Sequence, residues 1–506
     1  MKRWTISAAT VLAIVIPLQA AQAVTPEEVW NNWKLSIGSD ATLTTRSETR
    51  NGAALEIRGI EITSTGGEAG ATLKGQFESV ILTDRGDGSV LVQFPKVLRY
   101  EYNEARAQPG KPNAVIEMSQ SPGGEVIASG TAEAVRYDFS QPEVSVKLVE
   151  AHDNQGTVQD IQLSASLARI SGHYLLTQVP GADYKIDMKS EIGPVALTIS
   201  GTRPEDKSTY SVTMTIDGAK SAMAGTFLPP EAMANLSAAI AAGAEFDMSL
   251  TTGALVLDVD AVEAGSPVKL SARLDSSDMG FLMNRANLGY GMTMMGGNVL
   301  FEAPGKDMQD GRVAFAEVTQ RILMPAGPSV EAADFSYLMR LTDVTLSEAL
   351  WTIFDPGAVL TREPASMIVD LTGKGAWLYD VFNTATDEPM AGGEMPLRLD
   401  SLALRQVLVK FAGAGVDASG ALTFDNTDRE TFQGFPAPEG KITVNLSGVS
   451  ALLDKLVALG VVSANDLTGI RMGMAMFTRP GAGPDQLTTG IEFRNKGLFV
   501  NGQQLM

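Results

Sequence analysis

The stretch Tyr210-Ser211-Val212-Thr213-Met214-Thr215-Ile216-Asp217 decides the fold. Its apolar residues occupy every second position, and hydroxyl or acidic residues fill the gaps. Successive side chains of a β-strand point to opposite faces, so this octet makes one dry face and one wet face. The same period of two runs through Val144, Val146 and Leu148, through Val268, Leu270, Ala272 and Leu274, and through Ile442, Val444 and Leu446. One wet and one dry face is the pattern of antiparallel sheets, since parallel strands are covered on both sides. Turn signals separate the runs: Asp87-Gly88, Gly123-Gly124, Gly193-Pro194, Gly296-Gly297-Asn298, Lys496-Gly497 and Asn501-Gly502.

Helical signals are few and short. Thr25-Pro26-Glu27-Glu28 is a capping box with Pro at the first helical position, followed by Val29, Trp30, Trp33 and Ile37 at helical spacing. Pro229-Pro230 opens a second helix, near 230–242, with Met233, Leu236 and Ile240 on one face. Thr345 to Phe354 reads as a third, stopped by Asp355-Pro356. Val449 to Leu459 reads as a fourth, with Leu452, Leu453, Leu456 and Leu459 on a stripe and Gly460 at its end. The expected fold is therefore β-rich: long antiparallel sheets curled into a groove or an incomplete barrel, with a few short helices. A loose two-part rhythm divides it into an N-terminal half, 24–265, and a C-terminal half, 266–506. The break falls near Glu263 to Gly265, with Gly289 to Gly297 as the alternative.

The first residues read as a targeting signal. Lys2 and Arg3 precede an apolar run from Ala8 to Leu18, and Ala21-Gln22-Ala23 is a small-x-small cleavage site. This is the layout of a secretory signal peptide covering residues 1–23, with the mature chain starting at Val24. The apolar run is shorter than the roughly 20 residues that span a bilayer. No Cys follows the site, which excludes a lipoprotein anchor. The expected location is the periplasm, with no membrane-spanning segment after cleavage.

Composition narrows the chemistry. The 506 residues include 0 Cys and 2 His, which removes thiolate metal sites, cysteine nucleophiles and multi-histidine centres. A net charge of −20 argues against a nucleic-acid partner, which needs a basic stripe for phosphates. Gly-x-Ser-x-Gly, the phosphate-binding Gly-x-x-x-x-Gly-Lys-Ser/Thr loop and His-Glu-x-x-His are all missing. His152 lies in a polar turn and His173 follows Gly172 at the start of a strand. Asp84 to Gly88 and Asp425 to Glu430 gather carboxylates, but neither has the spacing of a calcium loop, and both read as hairpin turns. These observations assign no catalytic residue, no metal and no cofactor.

Methionine is the remaining candidate. Ile470, Met472, Met474 and Met476 alternate as if along one strand face. Met279, Met283, Met292, Met294 and Met295 crowd a second segment. The ordinary use of such residues is to fill irregular core gaps. Their flexibility also suits a deformable groove for an acyl chain. Met472, Met474, Met476, Met292 and Met294 are accordingly the candidate binding residues.

Laid in order, several pieces resemble one family. They are Thr25-Pro26-Glu27-Glu28-Val29-Trp30 with Trp33, Asp87-Gly88-Ser89-Val90, Tyr137-Asp138-Phe139, and Pro364 to Gly373. Gly420 to Asp425, the helix from Val449 and Gly497-Leu498-Phe499-Val500-Asn501-Gly502 complete the set. Together they resemble the alphaproteobacterial domain of unknown function 2125 family, over nearly the whole mature chain. More distantly, the leader and the long amphipathic strands look like AsmA-like envelope proteins. That wider resemblance implies an extended β groove carrying lipid between membranes, normally tethered by an N-terminal helix. The expected function is a soluble periplasmic protein that binds lipid or another amphiphile on an apolar sheet face. The alternative is a non-enzymatic structural or protein-interaction component of the envelope, its sheets sealed on themselves.

Overall fold

The structure is a computed structural model. It describes residues 23–506 apart from 38–40, 67–69, 106, 181, 183, 234, 264, 304–309, 330 and 381–395. The leader from Lys2 to Gln22 lies outside the described residues.

The described strands form one antiparallel sheet, curled into a ring-like arrangement that does not close into a barrel. Strand accounts for 63% of the chain and helix for 11%, so helices can cover only a fraction of the sheet. Long strands act as rails, and pairs of short strands run side by side between them. Ala71–Asp84 carries Val97–Asn103 on one half and Val90–Gln93 on the other. These continue into Ala114–Gln120 and Glu125–Thr131, and both rejoin on Ala134–Ala151. That strand pairs with Ile161–Thr177, where the sheet divides again. One lane runs Tyr184–Ile192, Ala219–Phe227, Glu245–Thr252, Ser276–Met283. The other runs Val195–Thr202, Thr209–Ile216, Leu255–Glu263, Ser266–Leu274. Both end on Asn287–Glu302. From there single strands follow in order to Gly497–Val500.

Tyr210 to Ile216 lie on the strand Thr209–Ile216, where Tyr210, Val212, Met214 and Ile216 are half-buried while Thr213 and Thr215 are exposed. Ion pairs identify the wet side. Asp260 lies opposite Lys269 with 3.5 Å between their charged atoms, and Glu191 opposite Lys220 with 3.0 Å. Exposed pairs of this kind contribute at most about 1 kcal/mol each, but they fix which face meets water.

Gly296-Gly297-Asn298 is not a turn. It lies inside the strand Asn287–Glu302, where the two lanes meet. Gly296 adopts φ +61°, the left-handed conformation that glycine takes at no steric cost, and the ladder is interrupted there between Met295 and Gly297. His173 is likewise in the interior of Ile161–Thr177 instead of at its start. The division placed at Glu263 to Gly265 falls in a hairpin whose two strands pair directly, Glu263 opposite Ser266.

Helix α1 (Pro26–Ser36) begins as its capping box requires: the Glu28 amide donates to Thr25 Oγ1, and the Thr25 amide donates to Glu28 Oε2 at 2.7 Å. Its Val29 and Trp30 are buried with Val24, Ile57, Leu82 and Tyr137 in the first of three cores. Helices α2 (Pro230–Met233) and α3 (Leu236–Ala242) cover a second core around Met283 and Leu288. Helix α4 (Glu348–Phe354) starts three residues later than Thr345, because Thr345 and Leu346 stay in the ladder with Ala314 and Val313. With α5 (Val449–Ala458), it covers a third core at Trp351, Leu360 and Ala412. Helix α6 (Ala464–Phe477) occupies the segment that the alternating methionines had suggested was a strand.

Candidate functional site

Directly opposed residues in a sheet share a face, so register alone can trace a surface across many strands. One such row is apolar almost throughout. Tyr137 lies opposite Tyr174, Tyr174 opposite Met188, and Met188 opposite Met223. It continues through Met248, Phe281, Tyr290, Ile322 and Tyr337. Leu371, Leu404, Gly420, Ile442, Ile491 and Val500 complete it. No charged side chain interrupts the row, and at ~4.8 Å per strand it extends roughly 65 Å along the sheet. Of its members only Tyr137 is fully buried, at 0% exposure, whereas Phe281 and Tyr290 are 37% and 38% exposed. Beyond Tyr137, which packs beneath α1, the row is therefore only partly buried, and it forms an apolar track across the sheet.

Aromatic rings reinforce it on the first lane. Tyr184 and Phe227 stack with centroids 5.2 Å apart, Phe227 meets Phe246 at 5.8 Å, and Phe246 meets Phe281 at 5.8 Å. Farther along, a 710 Å³ cavity is lined by Phe335, Gly373, Leu402, Leu422 and Gly440, the row next to the track, together with Leu323, Ser336, Thr372, Ala403 and Ala421 of the opposite face.

The head of the track lies beneath α1. Trp33 stacks on Phe94 at 5.4 Å and lies 6.4 Å from Tyr137, which stacks on Tyr174 at 4.6 Å. Two cavities share Trp33, Phe94 and Tyr174 in their walls. The smaller, 260 Å³, is otherwise lined by apolar side chains, among them Ile37, Leu43, Ile62 and Phe77. The larger, 700 Å³, combines Val92, Val126 and Ile170 with a polar rim of Gln93, Lys96, Gln120, Ser121, Glu125 and Gln141. Burial pushes the Tyr174 hydroxyl up to about 12, so it stays a neutral phenol. Tyr137 moves in the same direction for the same cause, beside the Tyr174 ring.

Met292 lies in the row next to the track and Met294 in the row beyond it. Met292 is opposite Met279 and Gln320, and Met294 is opposite Ser277 and Val318; both are half-buried. Met472, Met474 and Met476 do not join them. They lie on α6, whose N-cap Ser463 accepts a hydrogen bond from the Asp466 amide at 3.1 Å. Residues two apart on a helix point in nearly opposite directions, so Met474 is half-buried while Met472 and Met476 are 63% and 64% exposed. The Ser463-to-Asp466 cap was the sequence signal for this helix, and the Met-x-Met-x-Met pattern obscured it. Trp33, Phe94 and Tyr174 were not read from the sequence as a cluster. They come from a helix and two separated strand regions, with only the Trp30/Trp33 spacing as a local hint.

The histidines and acidic clusters make local contacts. His152 Nδ1 lies 3.1 Å from the Pro112 carbonyl oxygen, and His173 lies on the strand face opposite Tyr174, with Nε2 3.9 Å from Asp187. Asp84 and Asp87 accept hydrogen bonds from the amides of Gly86 and Ser89, as turn aspartates do. Asp428 accepts from Lys496 Nζ at 2.6 Å and from the Thr431 amide and hydroxyl, and these donors hold its carboxyl far below the usual range. Among the described residues no group of three His, Asp or Glu side chains could hold a metal ion. None of their helices is long and apolar enough to cross a membrane.

Residues 292–505 match the family described as an uncharacterized protein conserved in bacteria, DUF2125. This match takes in Met292, Met294, Pro364 to Gly373, Gly420 to Asp425 and α5. It does not take in the α1 capping box, Asp87 to Val90 or Tyr137 to Phe139, so the family likeness of those N-terminal pieces is not part of the match. No curated protein and no solved structure matches the chain.

Proposed function

We propose that this is an exported, periplasmic binding protein without enzymatic activity, which carries lipid or another amphiphile along the apolar track. The observation that supports the reading is the unbroken row from Tyr137 to Val500, half-buried or exposed over nearly all its length. Leaving such a strip in water forgoes about 25 cal/mol for each Å² of apolar surface, and a bound chain recovers it. A continuous track also lets a chain slide between equivalent positions, which a single closed pocket does not. This is the arrangement expected of an AsmA-like groove, and the proposal extends that likeness to this chain. Export rests on the leader and on Val24, the first residue after the expected cleavage site, which is buried in the first core while Ala23 is exposed. Sequencing the N-terminus of protein from the envelope fraction tests that part, with Val24 as the expected first residue.

Native mass spectrometry of protein purified without detergent tests the binding function. A population carrying added mass that extracts into organic solvent is expected. A single apo mass, combined with no binding of a fluorescent fatty-acid probe, would overturn the reading in favour of a structural or interaction role.

A further inference from the structure

We infer that the head of the track is a built site for a single-chain zwitterionic amphiphile, the chemistry of a lysophospholipid. This rests on the amphiphile-binding reading and goes beyond it by assigning the ligand class and the place. Two features carry the inference. The first is the division of the site into a dry end and a wet end. The 260 Å³ cavity is apolar, and at ~30 Å³ per water-sized group it admits roughly nine methylenes, the end of one chain. It shares Trp33, Phe94 and Tyr174 with the 700 Å³ cavity, whose lining adds the polar Gln93, Lys96, Gln120, Glu125 and Gln141. One chain passing Trp33 would thus fill the smaller cavity and leave its head in the larger one.

The second feature is charge. Among the described residues, Lys96 is the only Lys or Arg lining the larger cavity, and Glu125 is the only Asp or Glu. They come from two different lanes: Lys96 precedes the strand Val97–Asn103, and Glu125 opens the strand Glu125–Thr131, just past Pro122-Gly123-Gly124. Both side chains are exposed, and among the described residues neither belongs to an ion pair. Other charges on the strands lie in cross-strand pairs, such as Lys269 with Asp260. Two unpaired charges of opposite sign on one cavity rim complement a head that carries both signs. An anion alone would meet Glu125, and a cation alone would meet Lys96.

Three probes with the same twelve-carbon tail test this on the full mature protein: dodecylphosphocholine, dodecyl phosphate and dodecanol. Binding is measured by tryptophan fluorescence and by calorimetry below the micellar concentration. The zwitterion is expected to bind tightest and to lose about fivefold on Lys96→Glu, the scale of an exposed charge contact. The double variant Lys96→Glu with Glu125→Lys is expected to recover most of that loss, because it restores one charge of each sign. Dodecanol should be indifferent to both variants. Equal affinity for the three probes, or a charge effect that the double variant fails to reverse, would overturn the inference while leaving an apolar track in place. Failure of every probe to bind would overturn the track reading as well.

Discussion

Tyr137 donates its hydroxyl to Asn32 Oδ1 across 2.8 Å, and both side chains are buried. This bond joins α1 to the first residue of the track, 105 positions later in the chain. It fixes the height at which Trp33 sits between the two head cavities, and so links helix position to the shape of the site.

Breaking it from one side leaves a buried polar atom without its partner, which costs about 1–3 kcal/mol. Tyr137→Phe orphans the Asn32 oxygen, and Asn32→Ala orphans the hydroxyl. Each should lower the urea midpoint. The double variant should cost less than the sum of the two, since neither group is then left unpaired. Equilibrium denaturation of the three variants measures the coupling directly.

Acid should act elsewhere, at the C-terminal end of α4. Asp355 is buried and accepts hydrogen bonds from Arg362 Nη1 at 2.5 Å and from the amides of Val359 and Leu360 at 2.9 Å each. Burial works to raise its pKa, but the guanidinium and the two amides outweigh it and hold the carboxyl below its ordinary 3.8. A folded-state pKa that lies below the unfolded one stabilises the fold above the unfolded value. That contribution is lost as pH falls through the folded value. Asp355→Asn should therefore lower thermal stability at neutral pH, and its deficit should shrink as pH falls below about 4. Melting curves of parent and variant between pH 7 and pH 2 test the convergence.

The strands were legible because their period of two is local: the alternation at Tyr210 or Ile442 fixes a wet and a dry face with no knowledge of the neighbours. The track was not legible, because it is made by register. Met188 and Met223 are opposed only because lanes fold back through specific hairpins, and local sequence does not encode that pairing. The forks escaped for a related reason. Gly296 and Gly297 look like a hairpin turn, yet they lie where two short strands share one long partner. In α6 the difficulty was different. Met472, Met474 and Met476 fit a strand period, while the features favouring a helix were a serine cap and the absence of β-branched residues other than Thr468 and Ile470. That correction is itself testable: Met472→Asp, on the exposed side of α6, should change stability by no more than ~0.5 kcal/mol and leave copurified amphiphile unchanged. Urea titration and lipid extraction of the variant check both expectations.

Gly296 should be intolerant of a side chain for two separate reasons. Its φ of +61° is strained for alanine, and an added Cβ would stand 1.9 Å from Asp275 Oδ2. Gly265 supplies the comparison, with φ +82° and open space around its Cα. Gly265→Ala should cost about 1 kcal/mol from backbone strain alone. Gly296→Ala should cost more, roughly 2–3 kcal/mol, since Asp275 must also move. Denaturation midpoints of the two variants separate the clash from the strain.

The middle of the track gives the most direct test of its role. Tyr290 lies between Phe281 and Ile322 on adjacent strands, and it is 38% exposed. A carboxylate at this position keeps its water in the free protein, so Tyr290→Asp should fold with a loss near 1 kcal/mol. A chain lying along the track would have to strip that water from an unpaired charge, at a cost of several kcal/mol. Amphiphile recovered by extraction from the purified variant should fall by more than half. Arg321→Asp is the control: Arg321 neighbours Ile322 on the same strand but points to the wet face, with an exposed side chain. It changes charge by two units where Tyr290→Asp changes it by one, and it leaves every track residue in place. If both variants lose amphiphile equally, long-range charge governs binding and the track does not. If only Tyr290→Asp loses it, the ligand lies on the row that joins Phe281, Tyr290 and Ile322.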